Sequence, residues 1–130
     1  MTEQRRSYVI YRMESAHKTM GAAQLLADHG QWNSAVNRLY YALFYAVSAL
    51  LLDNGIQAKT HTATRNQFSL NFVKNGLFEK KHGTLLSVLF DSRQKGDYGD
   101  IVDFDEERVL SFFGPVSEMI GKIENEIKVK

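Results

Sequence analysis

One hundred and thirty residues, 44% of them apolar, suffice for one hydrophobic core and one domain spanning residues 1–130. Sixteen basic residues against fifteen acidic leave a net charge of +1, so no global field steers the chain toward nucleic acid or an acidic membrane. A nucleic-acid role therefore needs a local site. Cysteine is absent, which excludes disulfides and thiolate chemistry.

The first six residues, Met-Thr-Glu-Gln-Arg-Arg, have no apolar run behind them of the kind a secretory signal carries. The most apolar stretch, Leu39 to Leu52, is too short to span a bilayer and reads as a buried helix. A cytoplasmic protein without membrane association is the expectation.

Helical spacing runs through the chain, and no segment alternates apolar and polar residues as a strand does. Val9, Met13, Ala16, Met20, Ala23 and Ala27 form one stripe on a first helix, which His29-Gly30 ends with Gly30 as a left-handed cap. A second helix runs from Gln31 or Trp32 to Asp53, with apolar or aromatic residues on every side. Such a helix is central, or lies between the core and a partner subunit. Asn54-Gly55 closes it. A third begins near Thr60 or Thr62, turns Phe68, Phe72 and Val73 inward, and stops at Asn75-Gly76.

A short fourth helix is expected from Gly83 to Arg93, then a polar loop from Gln94 to Asp103, the longest loop and a natural place for function. The last helix opens with Asp103 and Glu106 as a reciprocal cap. It buries Val109, Phe112, Val116, Met119, Ile123 and Ile127, and Gly114-Pro115 is expected to kink or split it. Four or five helices with short loops predict an all-α, up-and-down antiparallel bundle.

The chemistry-bearing patterns are few. Two Glu-x-x-His pairs, Glu14–His17 and Glu79–His82, have the spacing of di-iron ligands, but the second helix supplies no carboxylate before Asp53. They read as surface coincidence, and no metal or cofactor is expected. Arg12 and His17 fall on different helix faces. Arg38 interrupts an apolar helix, with Tyr41 and Tyr45 three and seven residues on. This is either the solvent edge of the core or a polar stripe facing a cleft or a dimer partner. His61, at the start of the third helix, is either a cap-region residue or a site group. Arg93, Lys95, Asp97 and Tyr98 sit where a helix gives way to a loop. Arginine can grip phosphate and tyrosine can stack on a base, though ordinary polar loops carry the same residues.

Three segments taken together resemble a HEPN (higher-eukaryote and prokaryote nucleotide-binding) domain. They are Ala35-Val36-Asn37-Arg38-Leu39-Tyr40-Tyr41-Ala42-Leu43-Phe44, then Lys59-Thr60-His61, then Arg93 with Asp97-Tyr98. The resemblance covers about residues 5 to 127. It implies a dimerising helical bundle that associates with a nucleotide or RNA. It also implies a companion minimal nucleotidyltransferase as a partner. Some members of that family are metal-independent ribonucleases or toxins, which use an arginine and a histidine four to six residues later. No histidine follows Arg93 here.

Aspartate is too acidic and tyrosine too basic to exchange the protons of RNA cleavage near neutral pH. The expectation is a non-catalytic dimer that binds a nucleotide or a partner protein, with Arg93, Tyr98, Asp97, Arg38, Tyr41 and His61 as site residues and none of them catalytic. The alternative is a ribonuclease toxin of a toxin–antitoxin pair, with His61 standing in for the missing histidine.

Overall fold

A computed structural model describes residues 2–97 and 104–128, without the side chains of residues 94–97. Five α-helices and one π-helical turn follow in order: α1 (Glu3–Asp28), α2 (Trp32–Asp53), α3 (His61–Phe68), the π turn (Ser69–Val73), α4 (Lys80–Asp97) and α5 (Glu106–Glu126). The described residues form an all-α bundle with no strand.

Local chemistry sets the helix ends. Thr2 accepts the Arg5 amide at the start of α1, and Gly30, at φ 71°, takes the left-handed turn after it. Asn54-Gly55 and Asn75-Gly76 stop α2 and the third segment, with Gly55 and Gly76 also at positive φ. Thr60 caps α3 through the Ala63 amide, which places His61 at its first position.

α2 is the hub. It packs against α1, α3, α4 and α5, and twelve of its residues are buried. At 22 residues it is long and apolar enough by composition to cross a membrane, more than the run Leu39–Leu52 suggests. Its packing marks it as the core helix of the bundle: Leu39, Leu43 and Val47 are fully enclosed, among residues from every other α-helix. The stripes on α1 and α5 close over it, except that Met20 is only partly buried.

Four expectations need correction. The fourth helix starts at Lys80 and runs to Asp97, so the expected loop from Gln94 loses its first turn to helix. Gln94 and Lys95 are good helix formers and Gly96 alone does not stop the run. The cap of α5 is Asp105, whose carboxylate accepts the Arg108 amide at 2.8 Å; Asp103 lies outside the described residues. Of the kink or split expected at Gly114-Pro115, the split does not occur, since α5 runs through both residues. Both residues and Ser111 face solvent, so water can bond the carbonyl that the proline leaves without a donor. Finally, His82 is buried, 4% exposed, and no surface coincidence. Its Nδ1 accepts the Glu79 amide at 3.0 Å and so caps α4 from the third helical position.

Candidate functional site

The packing of α3 and α4 on one side of α2 gathers the polar side chains of three helices around two adjacent tyrosines. Tyr40 is buried and Tyr41 is half-buried beside it, their rings edge to face at 5.3 Å. From α4, the Arg93 guanidinium lies over both rings, 5.3 Å from the Tyr40 centroid and 5.7 Å from that of Tyr41. It donates to the Tyr41 hydroxyl at 3.1 Å. From α3, His61 stacks on Phe44 at 4.4 Å, and its Nδ1 pairs with the Tyr40 hydroxyl at 2.7 Å. Two further cations flank the group. Arg38 lies 5.0 Å over Tyr41 while donating to Asn37, and Arg65 lies 4.6 Å over Phe90.

These neighbours set the protonation states. Burial pushes the Tyr40 phenol well above the ordinary tyrosine range, beyond what Arg93 offsets, so Tyr40 keeps its proton. Burial, and then the charge of Arg93, lowers the His61 pKa below 6.5, so the imidazole is neutral at pH 7. The simplest pairing has the phenol donate to Nδ1, which leaves the His61 proton on Nε2. In that tautomer Nε2–H is a donor. Arginines plus a neutral N–H donor over aromatic faces form an arrangement suited to an anion carried on a planar ring.

The structure thus brings Arg93, Arg38, Tyr41 and His61 together. Tyr98 lies outside the described residues, and Asp97 belongs to them only as the last backbone position of α4. Tyr45 joins the aromatic cluster through Tyr41 and Phe44. Arg38 is both a solvent edge and part of the stripe: it is half-buried and covers an aromatic face. Sequence reasoning missed Tyr40, Phe44 and Arg65 as members of the cluster. Arg65 had a legible signal, since it falls one turn after His61 on the same face. Tyr40 lies in the segment that carries the HEPN resemblance, yet it reads as core until its hydroxyl partner is known.

The Glu-x-x-His pairs part company in the fold. His17 Nε2 meets Glu124 of α5 at 3.0 Å, and His82 serves the α4 cap. Arg12 points elsewhere, to the Ser48 carbonyl at 3.5 Å. No group of three or more metal-ligating side chains is assembled among the described residues.

A family model described as HEPN domain matches residues 9–126. The chain is 38% identical over 118 residues to a UPF0332 protein of Thermotoga maritima, covering 91% of this chain and 89% of that one. It is 33% identical over 95 residues to a Methanocaldococcus jannaschii protein named "Putative toxin MJ0605", covering 73% and 71%. A second protein of that organism, "Putative toxin MJ0142", is 30% identical over 95 residues, covering 73% and 65%.

Proposed function

The chain belongs to the HEPN domain family, and on that premise we propose that it is a dimeric module that binds a nucleotide or RNA through the Arg93–His61 cluster without cleaving it. The observation that carries this reading is that Arg93 and His61 meet at one residue, Tyr40, from two different helices. Arg93 brings a guanidinium to phosphate, His61 adds a neutral N–H, and the half-buried Tyr41 ring offers an aromatic surface to a base. The same tautomer argues against cleavage. A histidine with its proton on Nε2 and its Nδ1 occupied has no lone pair to take the 2′-hydroxyl proton. The reading includes pairing of two chains and a protein partner such as a minimal nucleotidyltransferase, as the family resemblance implies.

A ribonuclease toxin is the second reading. It is favoured by the arrival of His61 beside Arg93, where the sequence has no histidine, and by the names of two relatives.

One experiment separates them: titration of AMP and a short single-stranded RNA against the wild type and Arg93→Ala, with the RNA recovered and sized. Losing a charged hydrogen bond to phosphate costs about 1.5–3 kcal/mol, so affinity should fall roughly ten- to a hundredfold with the RNA intact. Equal binding by both proteins would remove the site. Cleavage by the wild type that Arg93→Ala and His61→Ala both lose would establish the toxin reading instead.

A further inference from the structure

A cavity of about 640 Å³ lies between α4 and α5, apart from the Arg93 cluster. Its apolar walls are Leu85, Val88, Phe112 and Pro115. This volume is in the range that holds small molecules. His82, 4% exposed, is among its lining residues, with Phe78 edge-on to the imidazole at 5.5 Å.

The backbone settles which nitrogen of His82 carries the proton. The Glu79 amide donates to Nδ1, so the neutral ring holds its hydrogen on Nε2. That nitrogen is shielded from solvent and has no hydrogen-bond partner. Glu118 Oε1 stands 3.9 Å away, too far to bond. A buried donor without a partner is costly and uncommon. Burial, then the charges of Lys122 and Lys81, keeps the ring neutral, with Glu79 and Glu118 acting the other way.

The rim adds donors. Lys80, Lys81 and the Thr84 hydroxyl border the cavity at the positive end of α4. Glu118 is the one carboxylate among the lining residues, held by Lys81 at 3.4 Å with 64% of its side chain exposed.

From this excess of donors over an apolar trough we infer that the α4–α5 groove binds a small amphipathic carboxylate. Its apolar body lies on Leu85, Val88, Phe112 and Pro115. Its carboxylate displaces Glu118 from in front of His82, accepts the Nε2–H and faces Lys80 and Lys81. Glu118 is a built-in competitor that occupies the lysine side of the groove when the site is empty.

The test uses octanoate as the probe and octylammonium as its charge-reversed counterpart, each titrated into the full-length protein and followed by backbone amide NMR. Octanoate should shift the resonances of residues 84–88 and 112–118 saturably, and octylammonium should not. His82→Asn keeps an acceptor for the Glu79 amide and loses the distal donor, so it should weaken octanoate binding roughly tenfold or more with α4 intact. Should that variant fail to fold, Val88→Trp fills the trough without touching the cap and should abolish the shifts. Glu118→Gln should tighten binding, and Arg93→Ala should leave it unchanged. Equal binding of both amphiphiles, or an absence of saturable shifts at these residues, overturns the proposal.

Discussion

His61 and His82 are both held neutral by burial, and that has a consequence for stability. Each has its folded-state pKa lowered below 6.5, the value it regains in the unfolded chain. Below about pH 6.5 the unfolded chain therefore binds protons that the folded one does not. The stabilisation is fully present above about pH 6.5 and is lost as pH falls toward the folded-state values. Urea unfolding midpoints should fall between about pH 7.5 and pH 5.5, a range in which ordinary carboxylates stay ionised. Double replacement, His61→Gln with His82→Asn, should flatten that fall. A midpoint that is level or rising toward pH 5.5 in the wild type would contradict the neutral assignment. At this scale the sequence was partly legible. Arg93, Arg38, Tyr41 and His61 stand out by residue type in an apolar setting, and they do converge. Tyr40 acts through a hydrogen bond that no spacing rule predicts, whereas the Glu79–His82 spacing was visible and marks a helix cap and not a metal pair.

The helices were legible where turn chemistry and apolar stripes coincide. Gly30, Gly55 and Gly76 each take the positive φ that a chain reversal after a helix requires. The ends of α4 and the start of α5 were not, since a polar segment with two glycines can extend a helix or leave it. The sequence pointed to Asp103 as the cap of α5, and the carboxylate that meets an amide there is instead that of Asp105, which accepts from Arg108. Asp105→Ala should therefore cost about 1 kcal/mol, and Asp103→Ala markedly less. Thermal unfolding of the two variants decides between them; the reverse order would return the cap to Asp103. The π turn at Ser69–Val73 had no sequence signal, because the wider turn leaves the inward spacing of Phe68 and Phe72 unchanged in kind.

For the whole molecule, α2 explains both the bundle and the site. Its length and uniform apolarity let four other helices pack on it, and the same helix presents Arg38, Tyr40, Tyr41 and Phe44 on the side facing α3 and α4. The bundle also leaves Tyr8 and Tyr11 on α1 50% and 66% exposed, and Leu110 on α5 46% exposed. Exposed apolar side chains of that size suit the pairing of two chains. Light scattering at micromolar concentration should give about twice the chain mass of 14.8 kDa, and a clean monomer would remove the dimer from the proposed function.

If the Arg93–His61 cluster holds phosphate, the ionisation of His61 reports on it directly. In the free protein burial and Arg93 lower the His61 pKa. A phosphate seated between Arg93 and His61 offsets the arginine charge and favours the imidazolium. An NMR titration of the His61 ring, without and with a saturating short RNA, should therefore show its pKa rise when the RNA is present. An unchanged or lowered His61 pKa, with the RNA bound, would place the phosphate elsewhere and contradict the account.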